Sequence, residues 1–143
     1  MRSIERSVTV DRPLATVWAY LSDFRSTNDW DPGTIETVRS SGDGGVGTVY
    51  HNISKFLGRE VEVDYTVVDV EPERLLRLRG ENKTVSLTDT ITFEADADST
   101  TVTYHAQFVL NGPARLADPL MSIPLKKLGD EAERGLRDNL NRL

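Results

Sequence analysis

PLKKLGDEAERGLRDNLNRL, Pro124 to Leu143, is the one segment with a long uninterrupted helical period, and its reading decides the fold. Leu125, Leu128, Ala132, Leu136, Leu140 and Leu143 recur at three- and four-residue steps, one stripe of a 3.6-residue helix. The other side is charged, and Asp130/Arg134, Glu133/Arg137 and Asp138/Arg142 are acid-before-base pairs one turn apart. At about 1.5 Å per residue the helix is on the order of 30 Å long, enough to run the length of a sheet. Gly129 and Gly135 fall on or beside the stripe. Each costs about 1 kcal/mol against Ala in a helix interior, so either the sheet approaches closely there or space is left for something else. Asn139 also projects to the apolar side and is expected to bond nearby backbone.

Working back, Thr34 to Leu110 has the period-two alternation and turn punctuation of an antiparallel meander. Strands are expected near Ile35–Arg39, Val46–Ser54, Arg59–Val70, Leu75–Arg79, Thr84–Glu94 and Thr100–Leu110. In the third of these, Val61, Val63, Tyr65 and Val67 share a face, but Val68 and Val70 then fall on the wrong parity, which predicts a bulge. Ahead of the meander, Ser3–Val10 alternates as a further strand. A helix carrying Leu14, Val17, Trp18 and Leu21 follows, with Asp11 or Arg12 expected as its cap and Pro13 in its first turn. Ser26 to Gly33 reads as turns, with Trp30 standing in the irregular stretch. Leu116, Leu120 and Met121 mark a short helical piece before the long helix. The fold class is therefore α+β: a seven-stranded antiparallel sheet with the order β-α-β6-α and short helices after the first strand. A twisted sheet of that size cannot lie flat on a single rod, so it should curl around the helix and leave a cleft at one end.

Taken in order, Val8-Thr9-Val10-Asp11-Arg12-Pro13, Val17-Trp18, Leu21-Ser22-Asp23, Trp30, Gly45-Val46-Gly47-Thr48, Pro72-Glu73-Arg74-Leu75 and the amphipathic terminal helix resemble the START-like, Bet v 1-type helix-grip superfamily. Within it, the chain is similar to the polyketide cyclase/dehydrase and lipid-transport group over essentially its whole length. The resemblance implies one domain over residues 1–143 and an elongated apolar cavity between sheet and helix, used for lipids, polyketides or other hydrophobic small molecules. That group has no universal catalytic residues, so the resemblance assigns none.

Composition narrows the partners. The 143 residues are 38% hydrophobic and 28% charged, and the balance of 17 basic against 23 acidic residues gives a net charge of -6. That charge repels phosphate backbones and anionic lipid surfaces, so nucleic acid is not expected as a partner. No apolar run approaches the roughly 18 residues of a membrane span and no secretory leader is visible, which points to the cytoplasm. Zero cysteines removes thiol nucleophiles, disulfides and Cys-based metal sites, and two distant histidines argue against a His-rich metal site, so neither metal nor cofactor is expected. A monomer or homodimer is expected.

Gly42-Asp43-Gly44-Gly45-Val46-Gly47 matches the dinucleotide pattern GxGxxG, but a strand rather than a helix follows it, so it reads as a flexible loop and a candidate gate at the cavity mouth. Asp89 shares a strand face with Val85, Leu87, Ile91 and Phe93, where a carboxylate must be paired, protonated or wet. Pairing with Arg77 or Arg79 is the leading expectation, and a water-filled cavity the alternative. His51 lies on the Val49/Ile53 face and would serve as acid, base or donor if that face points inward, a position for which Tyr50 competes. His105 reads as solvent-facing. Tyr65 and Tyr104 either offer hydroxyls to the cleft or pack with backbone partners, and Trp30 either lids the entrance or plugs the core. With Phe108, Met121, Leu125, Leu128 and Ala132 as apolar wall, these are the candidate ligand-binding residues, and His51 and Asp89 the candidate catalytic ones. Three functions compete: binding of a hydrophobic or aromatic small molecule, a cyclase or dehydratase using the same cavity, and a protein-interaction role for which no extended apolar patch is legible.

Overall fold

In the computed structural model, which describes residues 2–143, seven strands form one antiparallel sheet in the order β1-β7-β6-β5-β4-β3-β2. They are β1 (Arg2–Val10), β2 (Thr34–Ser41), β3 (Val49–Phe56), β4 (Arg59–Glu71), β5 (Leu75–Glu81), β6 (Val85–Asp96) and β7 (Ser99–Leu110). Helices α1 (Leu14–Leu21) and α2 (Thr27–Trp30), joined by the 3-10 turn Phe24–Ser26, link β1 to β2. A 3-10 segment, Gly112–Leu120, leads from β7 into the terminal helix α3 (Ser122–Leu140). This is the helix-grip arrangement the periodicities predict.

The alternation works as the sequence implies. β1 buries Ile4, Val8 and Val10, and β6 buries Leu87, Asp89, Ile91 and Phe93 toward α1 and α3. In β4 the bulge falls at Val68. The register steps from Val67↔Leu78 to Asp69↔Arg77, leaving Val68 exposed and returning Val70 to the inner side opposite Leu76. One extra residue thus reverses the parity, so that Val67 and Val70 both pack with the core.

Several local expectations are corrected. The N-cap of α1 is Pro13, with no side-chain cap. Asp11 instead accepts a hydrogen bond from the Ser99 hydroxyl at 2.7 Å, and the Arg12 guanidinium donates to the carbonyls of Asn141 and Leu143, tying the first helix to the end of the last. The stretch around Trp30 is helical rather than irregular, because Asp23 caps the 3-10 turn through the Arg25 N–H and Asn28 clamps the N–H and C=O of Thr37 on β2. Of the expected ion pairs on α3 only Glu133–Arg137 forms, at 3.4 Å, while Asp130 takes Arg6 of β1 at 3.0 Å.

The glycines of α3 mark close approach, not open space. A Cβ at Gly135 would lie 1.8 Å from the Trp30 carbonyl oxygen, and one at Gly129 would lie 2.7 Å from an Ile4 methyl and 2.9 Å from the Arg6 guanidinium. Asn139 donates to the backbone oxygens of Asp29 at 3.1 Å and Gly135 at 2.8 Å, as expected, and so stitches α3 to α2 at the same level. Backbone cannot swing aside as a guanidinium can. Gly135→Ala should therefore cost about 2 kcal/mol despite its better helix propensity, lowering Tm by about 5 °C or more, whereas Gly129→Ala should cost less than half as much. Thermal unfolding followed by circular dichroism measures both, and equal effects would contradict the contact.

Candidate functional site

The inner face of the sheet is not filled to its end. At the end defined by the start of β1, the β3–β4 and β5–β6 turns and the close of β7, a cavity of about 200 Å³ opens between the sheet, α2 and the first half of α3. Its wall is mostly apolar and aromatic, including Phe24, Trp30, Val63, Leu87, Phe108 and Leu125. Trp30 is a wall rather than a lid: its ring is buried, its Nε1 donates to the Ser26 hydroxyl at 3.0 Å, and it meets Tyr104 edge-on with centroids 5.5 Å apart. Nearer the other end of α3 the side chains close up, and Leu136 and Leu140 are fully buried in the core.

Two carboxyl groups face this apolar space. Asp89 is 4% exposed, and its only hydrogen-bond partner among the described residues is the Tyr104 hydroxyl at 3.2 Å. The expected pairing with Arg77 or Arg79 does not occur, because both arginines stand on the opposite face of β5, where Arg77 bonds Asp69 and Thr90. Burial pushes the Asp89 carboxyl up to about 7; the Tyr104 hydrogen bond pulls it down somewhat, and the charge of Asp31 raises it further. Asp31, at the end of α2, accepts from the Gly33 N–H at 3.0 Å and the Thr34 hydroxyl at 2.9 Å, and its carboxyl is also raised by burial. Tyr65 lines the same space with its hydroxyl raised by burial and by the nearby charges of Asp89 and Asp31.

A polar chain underlies the Asp31 side. The Asn52 amide donates to the hydroxyls of Thr34 at 3.2 Å and Thr37 at 2.8 Å, Thr37 meets Thr27 at 2.7 Å, and Thr27 reaches the Phe24 carbonyl at 2.9 Å. Asp31, Asn52, Thr27 and Thr37 escaped sequence reasoning because each sits in a stretch read as a turn or as an ordinary strand. The signal available was Asn52, an amide on the parity shared with Tyr50.

Of the residues expected at the site, Trp30, Tyr65, Asp89, Tyr104, Phe108, Met121, Leu125 and Leu128 line the cavity, while His51 and Ala132 do not. Ala132 is buried deeper in the core. His51 stands on the outer face, because Tyr50 takes the inner one. Its Nδ1 lies 2.7 Å from Asp64 and its Nε2 3.0 Å from Glu62, and these carboxylates raise its pKa. It has no route to the cavity, so it carries no chemistry there. The Gly42–Gly47 loop is likewise at the wrong end, joining the close of β2 to the start of β3, opposite the mouth. The mouth is instead flanked by the 3-10 segment, tied across it by Arg2–Asp118 at 3.3 Å; on this segment and the start of α3, Leu116, Leu120 and Ile123 are 86, 77 and 82% exposed, which the sequence did not reveal. Among the described residues no cluster of His, Cys, Asp or Glu is set to hold a metal, and no helix is long and apolar enough to cross a membrane.

A family model described as polyketide cyclase / dehydrase and lipid transport matches residues 1–141. Among solved structures, the Zhui aromatase/cyclase from Streptomyces sp. R1128 superposes with a TM-score of 0.84 at 18% identity, covering 99% of this chain and 94% of that one. A START superfamily protein from Mycobacterium smegmatis gives 0.81 at 11% identity over 98% of this chain and 97% of the other. Ara h 8.0201 gives 0.69 at 15% identity, covering 99% of each. Likeness at these identities is one of fold. No curated protein sequence matches the chain.

Because folded Asp89 keeps its proton to about pH 7 while an unfolded aspartate loses its own near 4, the folded state holds the extra proton between those values. Stability contributed by this group is complete below about pH 4 and falls as pH rises toward 7. Asp89→Asn, which keeps the Tyr104 contact and cannot ionise, should match the parent near pH 4 and exceed it in Tm by about 4 °C or more near pH 8. Paired melting curves at the two pH values decide the matter, and a pH-independent difference would refute it.

Proposed function

The chain belongs to the polyketide cyclase/dehydrase and lipid-transport family, and from that premise we propose that it encloses a hydrophobic or aromatic small molecule between its sheet and α3. The observation that carries the reading is the unfilled, largely apolar space beside Trp30 and Leu125 in an otherwise close-packed interior. Protein cores leave few voids larger than a water molecule, so a space of this size is a retained feature rather than a packing accident. An engineered apolar cavity of about 150 Å³ admits benzene, which makes about 200 Å³ room for one or two fused rings or a short acyl chain. Affinity comes from apolar burial at about 25 cal/mol per Å², and Asp89, Tyr65 and Tyr104 orient the guest through its polar atoms.

A second reading, a cyclase or dehydratase, is favoured by one observation. Asp89, only 4% exposed and with its carboxyl pushed up to about 7 by burial, touches the Tyr104 hydroxyl beside the space where a substrate would fold. In that case Asp89 moves the proton and the cavity walls hold the reacting carbons together.

The two readings separate with one pair of variants. Leu128→Trp, which fills the cavity from α3, should abolish binding of a neutral naphthalene probe in calorimetry while leaving the melting transition cooperative. Asp89→Asn should leave that binding within about tenfold, or 1.4 kcal/mol, but lower turnover of a polyketide-like substrate by about a hundredfold if the protein is an enzyme. Undiminished probe binding in Leu128→Trp would exclude the cavity as the site.

A further inference from the structure

The cavity holds an imbalance that bears on what enters it, resting on the reading that a small molecule binds there. The acidic groups set inside it are Asp31 and Asp89, beside the hydroxyls of Tyr65 and Tyr104, while the hydroxyls of Thr27, Ser54 and Thr84 in the lining already donate to protein oxygens. Two carboxylates offer roughly eight acceptor positions, and the described residues fill three of them, with the Gly33 N–H, the Thr34 hydroxyl and the Tyr104 hydroxyl. The Asn52 amide protons are already committed to Thr34 and Thr37, so they offer a guest nothing.

The cations among the lining residues do not redress the balance. Arg2 pairs with Asp118 at the rim, its buried Nε otherwise without a hydrogen-bond partner among the described residues, and its register opposite Phe108 sets it two residues nearer the mouth than Asp89, which stands opposite Ala106; Lys55 is exposed at the end of β3. A guest's carboxylate pushed past Arg2 at the rim to the level of Asp89 would therefore meet two carboxyl groups and, among the described residues, no further lining cation but the exposed Lys55, where screening by water is weak. A guest carrying N–H or O–H groups would find vacant acceptors, and a positive charge would find both carboxylates.

We propose that the cavity selects apolar, ring-sized molecules whose head donates hydrogen bonds, protonated amines above all, and rejects those ending in a carboxylate. An ammonium seated between Asp31 and Asp89 holds both carboxyls ionised, and its apolar body lies against Trp30, Phe108 and Leu125.

The test uses probes that share one naphthalene body and differ only in the head: naphthylmethylamine, naphthylmethanol, acetylnaphthalene and naphthoate. Titration calorimetry of the full chain near pH 7.5 should place the amine at least about tenfold tighter than the carboxylate, with the alcohol between. Asp89→Asn should weaken the amine about tenfold without weakening acetylnaphthalene, whose carbonyl can accept from the new amide. Carboxylate or ketone binding as tight as the amine would overturn the inference while leaving the cavity as a ligand site, and so would an amine affinity indifferent to Asp89→Asn. Failure of all four probes to bind would overturn the cavity reading and this inference with it.

Discussion

The contact on which the rest depends is the one between α3 and α2 at Gly135, where only a hydrogen atom separates the helix from the Trp30 carbonyl. It fixes how deeply α3 sits against the sheet and, with Asn139 bonding the Asp29 carbonyl, where along its length it is pinned. Pinned there, the helix packs its Leu136 and Leu140 end into the core, and although Gly129 brings it against Ile4 of β1, its Leu125 and Leu128 face the cavity left over the neighbouring strands. A straight rod against a twisted sheet cannot be in close contact along its whole length. The cavity is what remains where the two surfaces diverge.

That geometry sets the electrostatics of the interior. A carboxyl carried inward by the alternation of β6 gets no arginine from its neighbour, because β5 presents Arg77 and Arg79 to the other face. It therefore holds its proton toward neutrality or waits for a partner from outside. Asp31 reaches the same space from a helix end, braced by Gly33 and Thr34 and backed by the chain of hydroxyls and amide that runs through Asn52 to Thr27. Satisfied networks of this kind are rigid, so the polar end of the cavity is positioned by groups that are themselves fully bonded. The histidine, in contrast, is bound up with Glu62 and Asp64 on the far side of the sheet, where it contributes to the surface and not to the site.

Strand and helix periods carried most of the architecture. The stripe on α3, the alternation of β4 and its broken parity at Val68, and the inward set of β6 are all consequences of repeat lengths fixed by the backbone, which any sequence displays in linear order. Capping was less legible. Asp11 and Arg12 looked like helix starters, yet their side chains serve Ser99 and the chain's end, partners some ninety and more residues away. The exposure of Leu116, Leu120 and Ile123 was hidden for a similar reason: apolar residues at helical spacing look the same whether a surface covers them or not.

By itself, then, the sequence determined the fold, the inner face of most strands, and the presence of a carboxylate at an apolar position, because each follows from periodicity along the chain. The tertiary structure alone decided that Asp89 lacks an arginine, that Asp31 joins it, that Tyr50 displaces His51 from the interior, and that the glycine-rich loop lies opposite the mouth. Those facts concern distances between residues on different elements. They depend on sheet register and on where a helix comes to rest, and neither is written in the spacing of residues along one strand.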